Sequence, residues 1–143
     1  MVAEFLEKIR LLFEGDPAVR RVADDPLLSA ELMLLFRMVL ADGVAAGPEL
    51  DAFKRICRDA FEIDEESLDD VLGYLKDYGY EITEARALGA FGAMPLSRRV
   101  ALARHMAEIA KADAKLSKQE VELLKRTVKL LHVDPLDIVG PER

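Results

Sequence analysis

Residues 27–41 read Leu-Leu-Ser-Ala-Glu-Leu-Met-Leu-Leu-Phe-Arg-Met-Val-Leu-Ala, and few folds can accommodate such a stretch. It is longer than an ordinary strand, and as a helix it is apolar on almost every side. Glu31 and Arg37 interrupt it and Asp42 follows, so it is too charged to read as a membrane span. What remains is a helix at the centre of a water-soluble bundle. The 143-residue chain, 51% apolar and 33% charged, has the material to surround it as one domain, residues 1–143.

Helical spacing recurs along the chain, with no alternating run that demands a strand. It predicts a first helix over residues 2–14, carrying Phe5, Ile9 and Leu12 on one face and stopped by Gly15-Asp16-Pro17. Asp25-Pro26 opens the central helix. Gly47-Pro48-Glu49 begins a third, with Leu50, Phe53, Cys57 and Ala60 inward. Asp64 caps a fourth, striped by Leu68, Val71, Leu72 and Leu75 and ended at Gly79. Thr83 starts a short fifth before Pro95, Ser97 caps a sixth to residue 112, and Ser117 caps a seventh to residue 131. Asp134-Pro135 leads into a last short turn. The expected fold class is all-α, a compact bundle of about seven or eight helices.

Two parts of this pattern match each other. Ala41-Asp42 is followed by Glu49, Lys54 and Arg55; Ala112-Asp113 is followed by Glu120, Lys125 and Arg126, each identity at an offset of 71 residues. Ile63-Asp64 and Val133-Asp134 continue the match at an offset of 70. The reading is a duplicated helix–acidic loop–helix unit, about residues 27–64 and 98–134.

An apolar helix ending in Ala41-Asp42-Gly43, a short loop, and Glu49 opening the next helix resemble the TerB-like, tellurite-resistance-associated family. Ala112-Asp113 and Glu120 repeat the pattern, with Ala114 where the second copy would usually have Gly. The resemblance spans roughly residues 26–140. It implies a compact helical fold, a place in a bacterial stress response, and a divalent-metal site at the clustered acids, weakened in the second copy or kept there only for packing.

Two explanations compete for Asp42, Glu49, Asp113 and Glu120. Ser117-Lys118-Gln119-Glu120 is a capping box, and Glu49 stands at the equivalent position with Ala46 in place of the serine. Capping and turn closure therefore account for these acids with no ligand. The metal reading makes the same four residues ligands of a hard cation, Ca²⁺ or Mg²⁺. One loop supplies only Asp42 and Glu49, and Val44-Ala45-Ala46-Gly47 offers none of the further side-chain ligands of an EF-hand. A site therefore needs both repeats, or backbone carbonyls and water.

The remaining candidates favour structure over chemistry. His105 and His132 lack a partner at ligand spacing, and Cys57 falls on an inward stripe, where it packs as a small hydrophobe. Met33, Met38, Met94 and Met106 fall at core positions; Glu31 and Arg37 require an ion pair or a surface contact. Residues 1–96 carry 10 Lys/Arg against 20 Asp/Glu, and residues 97–143 carry 10 against 7, within a total of -7. That balance argues against nucleic acid and for a protein partner, or a membrane-associated complex reached through one. The acidic amphipathic start lacks the features of a secretory signal, so a cytoplasmic location is the expectation. The favoured function is a non-enzymatic interaction or scaffold domain. A metal-binding or metal-sensing domain is the alternative, and a carboxylate-based enzyme ranks below both.

Overall fold

In a computed structural model the chain is an all-α bundle, described here for residues 17–41, 47–78, 89–112 and 117–139. Its helices are α1 (Pro17–Asp24), α2 (Pro26–Val39), α3 (Gly47–Ala60), α4 (Glu65–Tyr78), α5 (Leu96–Ala112), α6 (Lys118–Leu131) and α7 (Pro135–Val139). The helix expected over residues 2–14 lies outside the described residues, as does most of the short fifth, of which residues 89–92 are helical.

The central position expected for residues 27–41 is found. Ten of the fourteen residues of α2 are buried, and the helix packs against α1, α3, α4, α5 and α6. Phe36 meets Phe53 of α3 at a ring-centroid distance of 5.7 Å in a tilted arrangement, a favourable aromatic geometry. The Asp25 carboxylate accepts from the amides of Leu27 and Leu28, both at 3.1 Å, and so caps the helix start.

Three local expectations are corrected. A helix not expected from the sequence starts at Pro17: α1 fills the stretch up to Asp25, with Val19 and Val22 facing the core. Helix α5 starts before Ser97, because the Pro95 carbonyl accepts from the amides of Arg98 and Arg99. In α3, Ala60 is exposed and Ile56 takes the inward place, so the buried stripe is Glu49, Ala52, Phe53, Ile56 and Cys57. The stripes of α4 and the four methionines are buried as read.

Glu31, only 2% exposed, is an acid inside an apolar wall. Its partner is not Arg37 but Arg98 of α5, whose Nε donates to Oε2 at 3.1 Å and whose Nη2 donates to Oε1. Burial pushes the Glu31 carboxyl up, and the hydrogen bond and charge of Arg98 pull against that shift. The pair also ties the start of α5 to α2. Two further arginines work through carbonyls: Arg99 donates to Met94 O (3.2 Å) and Leu131 O (2.7 Å), and Arg104 donates to Asp137 O (2.8 Å), which fastens α7.

The ends of α3 and α6 are built alike. Glu62 and His132 both adopt left-handed backbone, with φ of 54° and 53°. A buried β-branched residue follows each, Ile63 or Val133, whose amide returns to Cys57 O or Val128 O. The first closure spans one residue more than the second, which is where the sequence offset changes from 71 to 70.

Two predictions follow from these contacts. Glu62→Gly and His132→Gly each raise stability in urea unfolding by about 0.5–1 kcal/mol, because glycine has no steric penalty at positive φ; a loss in both contradicts the left-handed geometry. Arg98→Ala costs about 2–3 kcal/mol, less than a fully buried pair because the Arg98 side chain is 41% exposed. A carboxyl whose folded-state ionisation is shifted upward contributes stability below its unfolded value and loses it as pH rises through the folded one. The Arg98→Ala deficit is therefore larger at pH 8 than at pH 5; a pH-independent deficit would falsify the pairing.

Candidate functional site

Glu49 and Glu120 are each the third residue of a fourteen-residue helix, and both are buried, at 3% and 1% exposure. Their helices, α3 and α6, pack against the same two neighbours, α2 and α5. The contacts also set direction. Phe61, just past the end of α3, lies 6.0 Å from the His105 ring in mid-α5, while Arg55, earlier in α3, reaches Glu108, later in α5, at 4.0 Å. Helix α3 thus runs antiparallel to α5, and its first turn points to the end of the bundle where α5 finishes. The Arg99–Leu131 bond places the end of α6 at the start of α5, so the first turn of α6 lies at that same far end. The fold brings both glutamate-bearing turns to one pole.

Asp42 and Asp113 lie outside the described residues. Each immediately precedes or opens the segment that leads into one of these turns, Asp42 into α3 and Asp113 into α6. Among the described residues no three His, Cys, Asp or Glu side chains gather as a metal cluster. The described part of the pole supplies two carboxylates.

The capping box of α6 is present in full. Ser117 Oγ accepts from the Glu120 amide at 3.1 Å, and Glu120 Oε1 accepts from the Ser117 amide at 3.2 Å. In the first unit, Gly47 has φ of 74°, a conformation that a side chain would strain, and α3 starts directly from it. Glu49 keeps the equivalent place and is held by contacts of its own.

Capping uses only half of the second glutamate. Oε2 of Glu120 is buried and accepts no hydrogen bond among the described residues, and the same is true of Oε2 of Glu49. Leaving a buried carboxylate oxygen unsatisfied costs about 1–3 kcal/mol and more when it is charged. A donor, a water or a cation removes that cost; an oxygen-preferring divalent ion is one group whose chemistry suits it. The orphaned oxygen of Glu120 is thus chemically compatible with the cation that the family resemblance implies.

The other candidates are accounted for by packing. Cys57 is fully buried and its thiol is pushed up to about 12 by burial, which removes it as a nucleophile at neutral pH. His105 is half-buried against Phe61; burial lowers its pKa and the charge of Glu108 opposes that shift. His132 is the left-handed cap of α6, its amide returning to Lys129 O and Val128 O. The role of Arg98 was not apparent from sequence. The signal was available in principle, since a buried Glu31 must find a cation.

An all-helical bundle in which buried Glu49 and Glu120 stand in the first turns of two helices is the class that fold and site define. The chain belongs to the TerB family: the model described as Tellurite resistance protein TerB matches residues 29–140. No curated protein and no solved structure matches it. The family is tellurite-resistance-associated, as the resemblance of the acidic turns implied.

Glu120→Gln and Ser117→Ala separate the two roles of the turn. Ser117→Ala loses a cap and costs about 1 kcal/mol. Glu120→Gln keeps an acceptor for the Ser117 amide and removes the buried charge. In chelator it is neutral or stabilising by thermal unfolding, and a loss comparable to Ser117→Ala would mean that Oε2 already has its donor.

Proposed function

We propose that this TerB domain is a non-enzymatic interaction module of a tellurite-resistance-associated stress response, and that its acidic pole takes up a divalent cation. The observation that carries the cation is the buried, unsatisfied Oε2 of Glu120, on a residue whose other oxygen is committed to capping. Glu120 and Glu49 would hold the ion from the described residues, with Asp42 and Asp113 completing the set proposed from sequence. The ion would supply charge neutralisation: carboxylates gathered on the two turns would repel one another, and a bound cation would turn that repulsion into a cross-link. Its effect on the domain is to fix the two turns relative to each other and so present one shape to a protein partner. The matching ends of α3 and α6 support descent of both units from one helix–acidic turn–helix ancestor.

Calorimetric titration with Ca²⁺, Mg²⁺, Mn²⁺ and Zn²⁺ tests this directly. Saturable heat is expected with the oxygen-preferring ions, together with a higher melting temperature. Glu120→Gln and Asp42→Asn are expected to weaken binding at least about ten-fold, in line with the loss of one ligand. Absence of heat and an unchanged melting temperature at millimolar ion would return these residues to capping alone.

A further inference from the structure

Helices α4 and α6 carry opposite charge on their outer faces. Helix α4 buries Leu68, Val71, Leu72 and Leu75 and exposes Glu66, Asp69, Asp70, Lys76 and Asp77. Helix α6 buries Glu120, Thr127, Val128 and Leu131 and exposes Lys118, Gln119, Glu122, Lys125, Arg126 and Lys129. Helical spacing gathers each exposed set into a stripe along one side. The flanking helices are mixed in sign: α1 beside α4 exposes Arg20, Arg21 and Asp24, and α5 beside α6 exposes Arg104, Glu108 and Lys111. The contrast is confined to the two stripes.

The stripes also match in spacing. Counted forward from Lys118, further basic residues stand 7, 8 and 11 positions on; counted backward from Asp77, acids stand at the same 7, 8 and 11. Laid antiparallel, the helices set Lys118 level with Asp77, Lys125 with Asp70, Arg126 with Asp69, and Lys129 with Glu66, over about 16 Å. No parallel alignment pairs all four basic residues with acids. The residues of the wrong sign are accommodated as well. Lys76 falls level with uncharged Gln119, and Glu122 falls level with Gly73. Nothing inside the chain requires that glycine: a β-carbon there would meet no other part of the molecule within 4 Å, and a mid-helix glycine weakens its helix. Opposite Glu122 it removes the one like-charge contact and lets two backbones approach.

We propose that α6 of one copy docks antiparallel on α4 of a second copy, in the alignment that sets Glu122 opposite Gly73. The pairing is between copies because within one chain the helices have different neighbours, α1, α2 and α3 for α4, and α2 and α5 for α6. Every copy offers both stripes, so the contact is head-to-tail and generates a closed ring or an open row. The net charge of -7 opposes association at long range, but salt screens that repulsion beyond about 8 Å while the four pairs act at contact. Exposed ion pairs are individually weak, so the assembly forms at high local concentration and dissociates on dilution. It does not depend on the cation at the acidic pole.

Sedimentation velocity of the full chain over a concentration series, in chelator, tests the pairing. The average mass is expected to rise with concentration at about 100 mM salt, and association to weaken several-fold at about 600 mM. Asp69→Lys/Asp70→Lys and Lys125→Glu/Arg126→Glu each weaken it at least about ten-fold. The chain carrying all four changes recovers association, as does an equimolar mixture of the two double variants. Gly73→Glu, which sets a like charge opposite Glu122, weakens it as well. Circular dichroism confirms that each variant is folded. The proposal is overturned by a chain that stays monomeric up to about 1 mM, by association that either double variant leaves intact, or by a fourfold variant that fails to recover it. Loss through the α6 changes alone would assign that stripe to a different anionic partner.

Discussion

A helix that is apolar on all sides must be enclosed on all sides, and the rest of the bundle answers to that demand from α2. Once α1, α3, α4, α5 and α6 pack around it, its one deeply buried carboxylate has to be neutralised from a neighbour. Arg98 does this from the first turn of α5. The pair contributes little net stability, since desolvating it offsets most of the attraction. Its worth lies in position: hydrophobic contacts are tolerant of sliding, whereas a carboxylate bonded by two guanidinium nitrogens admits one register of α5 on α2.

That register sets the two poles. With α5 fixed, the antiparallel run of α3 and α6 carries their first turns to one end, and the last turn of α6 with α7 to the other. The placement of the two glutamate-bearing turns and that of the end of α6 share one geometrical cause. No helix among the described residues is long and apolar enough to cross a membrane.

The helices were legible in the sequence wherever periodicity and punctuation agreed. Asp25-Pro26, Gly47-Pro48-Glu49 and Ser117 mark starts that the structure keeps, because capping is a local interaction of residues three or four apart. Pro17 shows the limit: proline is compatible with both the end of one helix and the first turn of the next, and only the burial of Val19 and Val22 decides. Of the candidate site, the positions of Glu49 and Glu120 could be read from spacing. Their burial and the spare oxygen of Glu120 could not, since both depend on which helices cover the first turns. Arg98 and Leu130 were hidden for the same reason. Arg98 pairs with the buried Glu31 of another helix, and Leu130 faces out beside Arg126, four residues earlier on α6.

Cys57 offers an unplanned gauge of this architecture. Its sulfur has no exposure and stays protonated across the neutral range, so a thiol reagent can reach it only when α3 parts from the helices that cover it. The speed of its alkylation therefore measures how often the bundle opens around α3, the helix that follows the first acidic turn. A chain with a single sulfhydryl reports on that breathing without any added label.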